Sequence, residues 1–166
     1  MSSGTCPFVR ERRHRLSRDA YVGEVVAAFT ASVAGRQPLF TDAHVVGVFA
    51  GLLGDAARRH ASTVLLYCFM PDHLHLVLRG STPQSDLWRA MLAFKQQSGF
   101  WLSKNSAGAR WQKDFYDRVI RRDEDLTAEL RYIDFNPVRG GLVGDWADYP
   151  FLGSDTLDLR DLIGAA

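Results

Sequence analysis

Thr63-Val64-Leu65-Leu66-Tyr67-Cys68-Phe69 leads through Met70-Pro71-Asp72 into His73-Leu74-His75-Leu76-Val77-Leu78-Arg79. The first run is apolar and partly β-branched, which suits a buried strand. Met70-Pro71-Asp72 is turn chemistry, because proline presets φ and aspartate bonds readily to its own backbone. The second run comes back as another strand, so the stretch reads as a β-hairpin. Strand side chains alternate, so His73 and His75 share one face while Leu74 and Leu76 share the other.

Upstream, Val22 to Val33 mixes Val, Ala, Phe and Thr and reads as a first strand, ended by Gly35 and Pro38. Thr41 or Asp42 then caps a helix in which Val45, Val46, Phe49, Leu52 and Leu53 recur at helical spacing as far as Arg59. Downstream of the hairpin, Asp86 to about Ser103 is a helix with Leu87, Met91 and Phe94 along one side. Phe115 to Ile120 is a short strand. Asp123 to Asn136 is a last helix, with Asp123, Glu124 and Asp125 in the turn where the dipole favours acids, and Pro137 ends it. The order is strand, helix, strand, strand, helix, strand, helix. It predicts an α+β, ferredoxin-like split β-α-β fold: an antiparallel sheet with helices on one face. Residues 1–18 read as a basic N-terminal arm, 19–143 as the domain proper, and 144–166 as a C-terminal tail packed on it.

The chain has 166 residues and a formal net charge of +1. That excludes a large multidomain machine, a fibrous repeat and a uniformly basic nucleic-acid coat; any nucleic-acid role needs locally gathered charge. Arg10, Arg12, Arg13, Arg15 and Arg18 gather at the start, while five aspartates and one arginine occupy the last 22 residues. No run approaches the roughly 18 apolar residues of a membrane helix, and no secretory leader pattern opens the chain. A cytoplasmic protein without a membrane partner is expected. Cys68 reads as a buried free thiol.

Two imidazoles two residues apart on a strand can share one divalent cation. Spacing alone leaves a solvated polar face as the other open reading. Tyr132 and Asn136 stand four apart, on one side of the last helix; by themselves they read first as a rim tyrosine and a helix-ending asparagine.

Taken together these segments resemble a known family. Met70-Pro71-Asp72-His73-Leu74-His75-Leu76-Val77 resembles the histidine-hydrophobe-histidine motif of single-tyrosine HUH transposases, the insertion-sequence-200-like enzymes. Trp111 to Arg121, Tyr132-Ile133-Asp134-Phe135-Asn136-Pro137-Val138-Arg139-Gly140-Gly141-Leu142-Val143 and Trp146-Ala147-Asp148-Tyr149-Pro150 resemble the REP-associated tyrosine transposase branch. With Arg13-His14-Arg15-Leu16 the resemblance runs from about residue 12 to 152.

The resemblance implies an HUH nuclease fold and a metal-dependent endonuclease that cleaves and rejoins single-stranded, hairpin- or repeat-containing DNA. His73 and His75 are then metal ligands, Tyr132 the nucleophile that forms a 5′-phosphotyrosine link, and Asn136 a third, polar ligand. The cation is Mg²⁺ or Mn²⁺, and histidine ligands suit Mn²⁺ better. Such enzymes act as monomers or homodimers. Phosphate contacts are expected from Arg10, Arg12, Arg13, Arg15, Lys95, Arg118, Arg121, Arg122 and Arg139. Trp101 and Trp111 are candidates for stacking on unpaired bases. Tyr116 and Tyr67 are rival nucleophiles, and Asp72 and Asp134 are candidates for the surroundings of the metal. The alternatives are a non-catalytic or domesticated protein that binds repeat hairpins, and an unrelated metal-dependent hydrolase.

Overall fold

A computed structural model describes residues 16–156, 158, 159 and 161. The elements run β1 (Val26–Ser32), α1 (Ala43–Arg59), β2 (Ser62–Met70), β3 (His73–Gly80), α2 (Leu87–Asn105), β4 (Tyr116–Ile120), α3 (Asp123–Asp134), α4 (Asn136–Arg139) and β5 (Leu152–Gly153). The sheet order is β4-β1-β3-β2-β5, every pairing antiparallel. The expected order of strands and helices is therefore present, and β5 is an addition from the tail.

Local chemistry explains the boundaries. Asp42 caps α1, its carboxylate accepting from the amides of His44 (2.6 Å) and Val45 (3.3 Å). Asp86 caps α2 by accepting from Arg89 N at 2.9 Å. At the other end of the chain, the last helix is shorter than its pattern suggests. A proline at 137 has no amide to offer the carbonyl of residue 133, so α3 stops at Asp134. Pro137 instead sits in the first turn of α4, where no amide is needed, and Asn136 starts that new element.

Two cores lie on opposite sides of the sheet. Phe29, Leu74, Leu76, Leu78 and Phe69 face α1 and α2, against Phe49, Leu53, Met91 and Phe94. Phe40, Phe49, Phe69, Phe94 and Trp111 form a cluster with ring centroids 4.9–6.4 Å apart. Burying each such ring stabilises by roughly 1.5–3 kcal/mol. The second core joins Ala28, Leu66, Cys68, Met70 and Val77 to Leu130 and Ile133 of α3 and to Tyr149. Helices thus cover both faces rather than one: α1 and α2 lie on the leucine side, α3 on the histidine side. The reason is that Ala28, Val77, Leu66 and Ile120 give the histidine face an apolar patch of its own, which the amphipathic α3 buries.

The tail continues this second layer. Tyr149 donates its hydroxyl to the Phe69 carbonyl at 2.6 Å, and β5 pairs with β2. Among the described residues no helix is long and apolar enough to cross a membrane.

The end of β3 is unusually close to another backbone. A Cβ at Gly80 would lie 1.8 Å from the Gly23 carbonyl oxygen, whereas one at Gly99, on α2, would meet nothing within 4 Å. Gly80→Ala should therefore lower unfolding stability in urea by about 2–3 kcal/mol or more. Gly99→Ala should be neutral or raise it by up to about 1 kcal/mol. Equal effects from the two would contradict this packing.

Candidate active site

The pleat of β3 points His73, His75, Val77 and Arg79 to the α3 side. His73 Nε2 and His75 Nε2 stand 3.1 Å apart. Each ring is steered by a partner at its other nitrogen. His73 Nδ1 is 2.6 Å from Asp72 Oδ1. His75 Nδ1 is 3.1 Å from the hydroxyl of Thr30, its partner in the neighbouring strand. A carboxylate can only accept, so His73 carries its proton on Nδ1 and leaves an Nε2 lone pair facing His75.

Both imidazoles are held neutral. Burial lowers the His73 pKa below the usual value, against the pull of Asp72. Burial, reinforced by His73, Arg139 and Arg36, pushes His75 down to about 3. Neutral imidazole is the form that binds metal. Two such nitrogens at 3.1 Å fit adjacent positions around one cation with bonds a little over 2 Å. The residues therefore suit a divalent ion. Among the described residues no three His, Cys, Asp or Glu side chains cluster as a cage.

Tyr132 reaches the pair from α3. Its ring lies 6.3 Å from that of His75, edge to face at 87°. The Arg139 guanidinium lies 4.2 Å from the Tyr132 ring centroid, donates to the Tyr132 carbonyl and donates to Asn136 Oδ1 at 3.3 Å. Asn136 Nδ2 is buried and finds no partner among the described residues. Arg139, expected on phosphates alone, thus also clamps the tyrosine and the asparagine.

The rival tyrosines fall elsewhere. Tyr67 pairs with Leu76 and so lies on the leucine side of the sheet. Tyr116 pairs with Thr30, on the histidine side, but stands one strand beyond it and is 62% exposed. Trp111 is a core residue whose indole N–H donates to Ser98 at 2.8 Å, and Trp101 packs on Phe49, 5.7 Å between centroids. Stacking on bases is not available to the buried Trp111.

The expected cations are scattered. Arg10, Arg12, Arg13 and Arg15 lie outside the described residues. Lys95 donates to the carbonyls of Gln112 (2.7 Å) and Lys113 (3.1 Å), tying α2 to the segment before β4. Arg118 meets Glu129 at 3.5 Å and Arg122 meets Asp125 at 3.0 Å. Arg121 and Arg122 line an open pocket of about 550 Å³ together with Arg79, Asp19, Glu24 and Asp123. It sits at the opposite end of β3 from His73. Thr30 and Arg36 are site residues that no local pattern announces, since both meet the histidine strand through tertiary contacts.

Asp134 faces inward from α3, 1% exposed, with neither oxygen bonded among the described residues. Burial raises its pKa from 3.8 to about 7. Folding therefore takes up its proton: this contribution is whole below about pH 4 and is lost as pH rises through 7. His75 has the opposite sign, its contribution whole above pH 6.5 and lost as pH falls toward 3. Asp134→Asn cannot ionise. Its stability relative to the unsubstituted chain should rise by about 2–4 kcal/mol between pH 4 and pH 8. Urea unfolding at the two pH values measures this, and a difference that does not change with pH would refute it.

A family model described as transposase IS200 like matches residues 22–134. A Haemophilus influenzae protein assigned as a candidate REP-associated tyrosine transposase is 32% identical over 97 residues, covering 51% of this chain and 54% of that protein. The REP-associated tyrosine transposase of Escherichia coli is 31% identical over 86 residues, covering 49% and 48%. The chain thus spans about half the length of the curated relatives it matches. A solved REP-associated tyrosine transposase bound to a REP hairpin is 21% identical and superposes with a TM-score of 0.70, over 86% of this chain and 82% of that one. That likeness establishes a shared fold. Since the matched segment takes in β1 through α3, with both histidines and Tyr132, the chain belongs to the IS200-like transposase family.

Proposed function

We propose that this chain cleaves and rejoins single-stranded, hairpin-bearing DNA through a covalent bond between Tyr132 and a 5′ phosphate. The observation that carries the reading is the pair of imidazole nitrogens 3.1 Å apart with the Tyr132 ring against His75. Family membership supports it, as do the names of the relatives. The family is metal-dependent. Here His73 and His75 would hold the cation, with Asn136 Oδ1 as a third ligand once it leaves Arg139. Two imidazoles and an amide favour Mn²⁺ over Mg²⁺, which prefers all-oxygen surroundings. A cation held there would supply Lewis-acid polarisation of a phosphate oxygen and steady the charge that builds on it.

The chain's own groups do the rest. A phenol ionises near pH 10, so Tyr132 needs help as a nucleophile. Arg139, stacked on its ring, holds it in place and adds positive charge beside the developing anion. In the step itself a bond forms between Tyr132 Oη and phosphorus while the bond from phosphorus to O3′ breaks. The phenolic proton leaves, and the departing O3′ gains one. Because one phosphoester replaces another, a 3′-hydroxyl can reverse the step and join a new strand. Arg118, Arg121 and Arg122 supply exposed cations on the same side of the sheet or at its edge, and the basic arm 1–18 would add more. Such contacts set affinity and salt dependence, not sequence choice.

Labelled single-stranded hairpin DNA incubated with the protein and Mn²⁺ should yield an adduct that survives SDS. Tyr132→Phe should abolish it. His73→Ala and His75→Ala should each reduce its rate by about a hundredfold or more, the loss seen for groups that stabilise transition-state charge. Tyr116→Phe should retain it. Adduct formation by Tyr132→Phe would overturn the assignment. Binding without an adduct would favour the non-catalytic reading, and multiple-turnover cleavage without one would favour a hydrolase.

A further inference from the structure

Arg36 stands where a glycine would fit better. Its φ is 54°, in the left-handed region that non-glycine residues rarely occupy, immediately after Gly35 at 67°. Arg36 is exposed and takes no part in the apolar core. What the conformation achieves is an aim: Arg36 Nε lies 2.9 Å from Asp72 Oδ2, and its Nη1 donates to Ser32 Oγ at 3.1 Å. The other oxygen of Asp72 takes the Nδ1–H of His73. The loop is docked on the hairpin turn by backbone bonds, Val33 N to Asp72 O at 2.9 Å and Leu39 N to Pro71 O at 2.7 Å. Arg36, Asp72 and His73 therefore form a continuous line from a strained loop to the site.

We propose that Arg36 is a positioning residue. Its guanidinium fixes the Asp72 carboxylate, which fixes the ring and proton of His73 so that Nε2 meets the Nε2 of His75. The pair with Asp72 is more than half exposed on the arginine side, and exposed ion pairs add little to stability. A strained backbone kept for a weak ion pair is hard to explain by folding alone, whereas strain commonly gathers where a functional group must be held. Partners of this kind orient metal-binding histidines, and their loss typically weakens metal binding about ten- to a hundredfold. The inference rests on His73 and His75 being metal ligands, but the orientation itself is a property of the metal-free chain.

Arg36→Gly separates this role from a structural one. Glycine relieves the left-handed strain, so the melting temperature should stay level or rise. Mn²⁺ affinity, by calorimetry, should fall about tenfold, with Arg36→Lys in between. In the metal-free protein, imidazole ¹⁵N spectra should show His73 as one Nδ1–H tautomer, and as a tautomer mixture in Arg36→Gly. An unchanged His73 tautomer, or Mn²⁺ affinity within about twofold of the unsubstituted chain, would overturn the proposal. So would parallel loss of melting temperature and affinity. If the unsubstituted chain binds no Mn²⁺, the metal reading fails, and the tautomer result still decides the role of Arg36.

Discussion

The pleat of β3 is the constraint on which everything else hangs. One strand must send Leu74, Leu76 and Leu78 into the main core and His73 and His75 to the other side. It has no freedom to do one without the other, because successive side chains of a strand oppose each other. Flanked by β1 and β2, β3 also has its backbone groups bonded on both edges. The imidazoles are thereby mounted on a strand in the middle of the sheet. Tyr132, by contrast, comes from α3, which is held by the smaller core around Leu130 and Ile133. The geometry of the histidine pair is thus set by sheet pairing, while the approach of the tyrosine is set by helix packing.

Much of this was legible in the chain. Apolar spacing and capping residues predicted the order of strands and helices, because each signal lies within one element. What crosses elements was not legible. The side of the sheet taken by α3 depends on Ala28, Val77, Leu66 and Ile120 making a second apolar patch, and they come from four different strands. Arg36 and Thr30 stand 36 and 45 residues from their site partners Asp72 and His75, at positions where neither periodicity nor spacing singles them out.

The placement of Tyr67 shows how little can decide such a question. The register of β2 against β3 shifts between Val64 and Leu66, so that Cys68 faces His75 and Tyr67 faces Leu76. Had the pairing of Val64 with Leu78 continued unbroken, position 67 would have stood opposite His75, and a phenol would share the histidine face. A bulge of one residue turns every later side chain of its strand over. It sends the aromatic ring to the Phe69 side of the sheet, 5.4 Å between centroids, and gives the site floor to a small buried thiol. The chain has one tyrosine at the histidine pair because of a backbone irregularity that composition does not encode.

Electrostatics follows the same logic of local placement over totals. A net charge of +1 looks poorly suited to a polyanion. Yet Arg118 and Arg122 each rest against an acid within the chain, and both pairs are substantially exposed on the arginine side. An exposed pair is worth only about 0–1 kcal/mol. On the proposed function, a phosphate that displaces either acid would meet little resistance and would release counterions from the DNA. Salt would screen both the intramolecular pairs and the proposed phosphate contacts. Burial works the other way at the centre of the site: the low dielectric that keeps His75 neutral also strengthens any charge that does enter. On the proposed function, a weakly basic surface around a desolvated, neutral imidazole pair would leave the strongest electrostatic interaction for the cation and the scissile phosphate.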